Sequence, residues 1–182
     1  MAAVELLQRH GVAGMSFTDV LRGSGAARGA IYHHFPGGKA QLVAEAAARN
    51  GGDVRAHLAA LPADSPLAVV QAFIAAIRPV VEASTAGCGC AVAAVTVSAD
   101  DDGDRDGLRH VAATAFTSWT EALAERLAVA GVEPVEALDL ATSLITLLEG
   151  TQVLCRAAGT VEPFDRAART ITTLVDRRYP AA

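Results

Sequence analysis

The sequence predicts an all-helical protein, and three observations carry that prediction. Forty of the 182 residues are alanine, so much of the 52% hydrophobic content is small and helix-favouring, and only 4% is aromatic. Apolar residues recur at three-and-four spacing, and no long stretch alternates apolar and polar residues with strand-like β-branched enrichment. Glycine and proline stops delimit the periodic runs.

The elements follow in order. A first helix covers Ala2 to His10, with Val4, Leu6 and Leu7 on one side and Gly11 as its stop. Ser16 opens a second as its cap, Asp19 sits in its first turn, and Gly23 and Gly25 interrupt it. A third short helix runs from Ala27 to about His34 and stops at Pro36-Gly37-Gly38. Lys39 opens a fourth, through Leu42, Val43 and Ala46 toward Leu61-Pro62, in which Gly51-Gly52 predicts either a broken helix or a soft joint. Ser65-Pro66 reads as a cap followed by a first-turn proline. The helix it starts reaches about Ser84, with a bend expected at Pro79. Beyond Gly87-Cys88-Gly89 comes a short apolar segment, Cys90 to Val97, then an acidic turn at Asp100–Gly107. Three long helices complete the chain: Asp104 to Ala130, Pro134 to Ala157, and Pro163 to Arg177.

Composition narrows the class further. The length suits one domain of about 100–200 residues, or a small head on a larger body. No run of about 18 uninterrupted apolar residues occurs, which predicts no membrane span. The start, Met1 to Gly11, carries Glu5 and Arg9 in a helical pattern and lacks a signal peptide's layout. Three cysteines cannot build a disulfide framework, which points to a reducing cytoplasm. The net charge of −5 divides unevenly: residues 1–55 carry +2 and residues 56–182 carry −7. A small basic head on an acidic body is a charge asymmetry that bears on the partner only together with a motif.

Helix, glycine-containing turn, short helix is the layout of a helix-turn-helix. Ser16–Arg22 is its first arm, Gly23–Ala26 the turn, and Ala27–His34 the recognition helix. Ala27, Gly29 and Ala30 leave that helix slim enough for a major groove about 12 Å wide. Arg28 is its one long donor, able to read a guanine edge or clamp a phosphate. Tyr32 and His33 offer donors one turn on, and Lys39 adds a cation beside helix-terminal amides.

Ser16-Phe17-Thr18-Asp19-Val20, Gly25, Gly29-Ala30-Ile31-Tyr32-His33-His34-Phe35, Lys39 and Leu42-Val43 together resemble the DNA-binding domain of TetR-type transcriptional regulators. The body more loosely resembles the LmrA/YxaF-type subgroup. The resemblance implies an all-helical homodimer: a three-helix helix-turn-helix domain at 1–55 on a helical ligand-binding and dimerisation bundle at 56–182. It also implies repression of a palindromic double-stranded DNA operator, relieved by a small-molecule effector, with no enzymatic activity and no cofactor. By its pattern Arg28, Gly29 and Tyr32 face bases, whereas Thr18, Ala30, His33, His34 and Lys39 lie near the sugar-phosphate backbone. The chain begins inside what would be the family's first helix. The alternative is therefore a helical ligand-binding protein whose DNA binding is weakened or lost with that shortened start.

Phe73, Phe116 and Trp119 read as core or as the wall of a ligand cavity, with Glu149 and Gln152 as its polar candidates. The helix from Pro134 carries two apolar stripes, Ala137-Ala141-Leu144-Leu148 and Leu140-Leu147-Leu154; one can serve the core and the other a partner subunit. Cys88 and Cys90 lack the further ligands of a structural zinc and read as small buried hydrophobes. Asp102-x-Asp104-x-Asp106-Gly107 starts like a calcium loop, but Ala113 stands where its glutamate is needed, so no metal is expected.

Overall fold

The computed structural model describes residues 2–25, 33–97 and 105–180. Among them it holds eight helices and no strand: α1 (Ala2–His10), α2 (Phe17–Ser24), α3 (Gly38–Ala59), α4 (Pro66–Thr85), α5 (Ala91–Ala94), α6 (Arg105–Val129), α7 (Pro134–Ala158) and α8 (Glu162–Arg178). The acidic turn expected before α6 lies largely outside the described residues. Two compact units divide the chain: residues 1–53 with 89–116, and residues 54–88 with 117–182.

In the first unit, α1 packs on α2 and on α5. Leu7, Met15 and Val43 are fully buried, joined by Val92 and Ala112. Backbone amides from glycines close the C-terminal end of α1: Gly11 N–H donates to Leu7 C=O at 3.0 Å, Gly14 N–H to His10 C=O at 3.2 Å, and Gly89 N–H to Gln8 C=O at 2.8 Å. The last four carbonyls of a helix have no partner within it, so these bonds satisfy groups that would otherwise need water.

In the second unit, α4 packs on both α7 and α8, and α7 on α8. Trp119, Phe73 and Phe164 are its largest fully buried side chains; burial of each such group contributes about 1.5–3 kcal/mol. Ser65 caps α4, its hydroxyl accepting from Ala68 N–H at 3.1 Å, with Pro66 in the first turn as the sequence predicts. Glu133 caps α7 through its carboxylate, which accepts from Val135 and Glu136 N–H. Arg78 of α4 forms an ion pair with Asp165 of α8 while its guanidinium lies 5.1 Å from the Phe164 ring. Arg178 grips Glu136 at 3.0 and 3.3 Å. These polar contacts register α8 against both neighbours.

Three expectations change. The helix is continuous through Gly51 and Gly52 and is neither broken nor frayed there. Gly51 is buried, and a Cβ at that position would stand 2.9 Å from the Ala115 Cβ of α6. Glycine is therefore required by close approach of a neighbouring helix, a tertiary cause that local propensity does not contain. Secondly, Cys88 and Cys90 are half-buried, whereas Cys155 is fully buried. Lastly, α4 and α7 are each long and apolar enough to cross a membrane by length and composition, a property hidden by scattered polar residues when only uninterrupted runs are counted. Each contributes one face to the second unit's core: Val69, Val70, Phe73 and Val81 from α4, and Ala137, Ala141, Leu144 and Leu148 from α7.

The crossing at Gly51 is testable by thermal melting. Gly51→Ala gains about 1 kcal/mol of helix propensity, but overpacking a tight site costs about 1–3 kcal/mol. The melting temperature is expected to fall by up to roughly 6 °C. Adding Ala115→Gly restores clearance, so the double variant should deviate from additivity by about 1 kcal/mol in the stabilising direction. Simple addition of the two effects would show that the helices do not touch there.

Candidate nucleic-acid interface

An eight-residue helix is too short to persist alone, so α2 depends on its ends and on burial of Val20. Ser16 has extended backbone angles, and its hydroxyl accepts from Asp19 N–H at 3.2 Å. The same hydroxyl donates to Asp19 Oδ2 at 2.5 Å, and Asp19 Oδ1 accepts from Arg22 at 3.2 Å. At the other end Gly25 takes φ of 69°, the left-handed region, and its N–H returns to Leu21 C=O at 3.0 Å. A side chain at Gly25 would be strained, so the residue that closes α2 is held to glycine.

Arg28, Gly29, Ala30 and Tyr32 lie outside the described residues. The other four candidates are described. Thr18, His33 and His34 are exposed, and Lys39 is half-buried in the first turn of α3. The two imidazoles meet edge to face with ring centroids 5.7 Å apart. Between them and Lys39, Gln41 braces the turn: its Oε1 accepts from Gly37 N–H at 2.8 Å, and its Nε2 donates to Glu45 at 2.8 Å. Gly38 N–H is taken by Phe35 C=O at 2.9 Å. The N–H groups of Gly37 and Gly38 are thus used internally, and Lys39 adds a positive side chain at this corner. Gln41 was not singled out from the sequence; a Gln in the first turn of a helix, as in a capping box, is the signal that finds it.

The candidates for a ligand cavity divide. Phe73, Trp119 and Gln152 are buried in the second unit, and Glu149 is half-buried there on α7. Phe116 belongs to the first unit and is half-buried. The Gln152 side-chain oxygen is buried and has no hydrogen-bond partner among the described residues.

Known proteins resemble the chain along nearly its whole length. Residues 1–46 match the family described as bacterial regulatory proteins, tetR family. Residues 66–170 match that described as transcriptional regulator LmrA/YxaF-like, C-terminal domain. An HTH-type transcriptional regulator of Mycobacterium tuberculosis is 34% identical, over 99% of this chain and 93% of that protein. The HTH-type transcriptional regulator LmrA of Bacillus subtilis is 26% identical, over 97% of this chain and 94% of that one. The crystal structure of a TetR transcriptional regulator from Legionella pneumophila superposes with a TM-score of 0.79 at 23% identity, covering 95% of this chain and 92% of that one. That likeness shows the all-helical fold.

The Ser16 cap supplies a direct test of how α2 is held. Ser16→Ala removes both the cap and the bond to Asp19, and should cost about 0.5–2 kcal/mol. Differential scanning calorimetry should register a lower melting temperature, whereas Ser16→Thr should retain most of it. No loss with alanine would mean that burial alone holds the helix.

Proposed function

This chain belongs to the TetR family of transcriptional regulators, DNA-binding proteins rather than enzymes, with an LmrA/YxaF-like body, and on that premise we propose that it is a cytoplasmic repressor that binds a palindromic operator as a homodimer and releases it on binding a small-molecule effector. Residues 1–55 form the DNA-binding domain and residues 56–182 the effector-binding and dimerisation domain. The reading rests chiefly on one observation: a capped, Gly25-terminated α2 is followed closely by exposed His33 and His34 and by Lys39 opening α3.

In this proposal Arg28, Gly29 and Tyr32 meet base edges, while Thr18, Ala30, His33, His34 and Lys39 contact the sugar-phosphate backbone. Base contacts select sequence, and phosphate contacts set register and supply salt-dependent affinity. Exposed apolar residues on α7 and α8 support the homodimer: Leu138, Val153, Leu154 and Leu174. The hydroxyls of Thr142 and Thr146 on the same helix bond to their own backbone carbonyls at 2.8 Å, which lowers the cost of burying that face. A two-fold dimer would set its recognition helices about 34–36 Å apart, which is why the operator is palindromic.

The effector reading is supported by Gln152. Leaving a buried acceptor unsatisfied costs about 1–3 kcal/mol, and a ligand hydroxyl or amine would meet it.

Two measurements test the proposal. With DNA from immediately upstream of the coding sequence, Arg28→Ala should weaken binding by about 1–3 kcal/mol and relax specificity at one position of each half-site. Lys39→Ala should weaken binding to all sequences and flatten the salt slope by roughly one unit. Unchanged affinity in both would remove this surface as the interface. Separately, Gln152→Leu should raise the melting temperature of the ligand-free protein by about 2–6 °C. A drop instead would mean that the amide is held by the core and awaits no ligand.

A further inference from the structure

The outer side of α7 lacks the charge that a solvent-facing helix ordinarily carries. From residue 140 to 155, roughly four turns, its exposed positions are Thr142, Ser143, Thr146, Gly150, Val153 and Leu154, none of them charged. The three hydroxyls are already used inside the helix. Thr142 donates to Leu138 C=O at 2.8 Å, Ser143 to Asp139 C=O at 2.9 Å, and Thr146 to Thr142 C=O at 2.8 Å. Their donors need no water, so covering this side leaves no hydrogen unpaired. Gly150 adds a second sign. Gly51 is held to glycine by the approach of Ala115, but a Cβ at Gly150 would meet nothing within 4 Å. Glycine weakens a helix, and no neighbour within the chain accounts for this one.

Charge bounds the same side at both ends. Asp139 stands before it and Arg156 after it, about 25 Å apart along the axis. Both are exposed, and neither has an ion-pair partner among the described residues. No opposite charge lies three or four positions from either, the spacing at which a helix pairs its own charges.

We propose that α7 pairs antiparallel with α7 of a second copy, Asp139 meeting the partner's Arg156 at each end and Gly150 meeting the partner's Thr146 at the crossing. This names the contact that selects the partner in the homodimer, and it rests on the homodimer reading above. An interface about a two-fold axis brings residue i to j and j to i, so the patch must complement itself. Opposite charges equally far from one centre do so only when the helices run antiparallel. A parallel pair would set each of the two charges against its own like. The centre that pairs Asp139 with Arg156 falls between Leu147 and Leu148, and the same centre brings Thr146 within one residue of Gly150. A shallow crossing of about 20° keeps both ends in reach, and the missing side chain at Gly150 admits the short end of the usual 8–10 Å between axes.

Exposed ion pairs add little affinity, but like charges brought together repel strongly. The pairing therefore acts chiefly on partner choice. A helix that offers like charges at those two places is rejected, and a second copy of this chain is accepted.

The test is sedimentation velocity on the full chain over a concentration series. Asp139→Arg and Arg156→Asp should each weaken the dimer about tenfold or more, because each sets like charges together at both ends. The variant carrying both substitutions should return to within about threefold of the wild type. An equimolar mixture of the two single variants, read by native mass spectrometry, should form mixed dimers in preference to either self-pair. At about 1 M salt the deficit of each single variant should shrink. Gly150→Leu should weaken the dimer while far-ultraviolet circular dichroism keeps its helical signal. Single variants that dimerise like the wild type, a double variant that recovers nothing, or a leucine variant that pairs as tightly would overturn this pairing. A wild type that stays monomeric across the series would overturn the homodimer reading itself.

Discussion

Two helices of nine and eight residues lie in the stretch that matches the tetR family, and neither is long enough to exist by itself. Isolated helices below about 12–15 residues are marginal in water, so α1 and α2 persist only through what closes their ends and covers their apolar sides. The closures are specific: Ser16 and Gly25 for α2, and the amides of Gly11, Gly14 and Gly89 for α1. The cover is Leu7, Met15, Val20 and Val43. The orientation of any side chain on α1 or α2 therefore depends on bonds made at the helix ends.

This dependence explains which features were legible from sequence. Caps are local, and the residue types that make them are few, so Ser16, Ser65 and Pro66 could be placed without coordinates. The family was legible for the same reason: the residues that carry the resemblance lie close together in the chain, and residues 1–46 match the tetR family. Gly51 was not legible, because its reason is Ala115, a partner on another helix far along the chain. Propensity reads a glycine pair in a helix as weakness; packing reads the first of the pair as clearance. The ion pair between Arg78 and Asp165 was hidden in the same way. Burial of Cys88 and Cys90 was misjudged because a small apolar side chain says nothing about how much neighbouring structure exists to cover it.

Charge adds a second constraint that composition as a whole conceals. The excess of acid lies in residues 56–182, and the small positive excess in residues 1–55. A net charge of −5 would repel a polyanion if spread evenly. Screening over about 8–10 Å at physiological salt lets a local basic surface act despite the net charge of the whole chain.

The helix α7 ties the remaining features together. Its inner side contributes Ala141, Leu144, Leu148, Gln152 and Cys155 to the core, and its outer side leaves Leu138, Val153 and Leu154 exposed. Gln152 and Val153 are consecutive, so the unsatisfied amide and the open apolar face belong to the same turn of one rigid element. A helix cannot shift one side and hold the other still. If an effector donor engages Gln152, any tilt or rotation it favours is passed to the face available for a second subunit. By linkage, an effector can bias the dimer only as far as it binds one arrangement better than another. Reciprocally, pairing of subunits must bias effector affinity by the same factor. On the proposed reading, one apolar helix, buried on one side and open on the other, would couple effector and dimer without any longer pathway through the core.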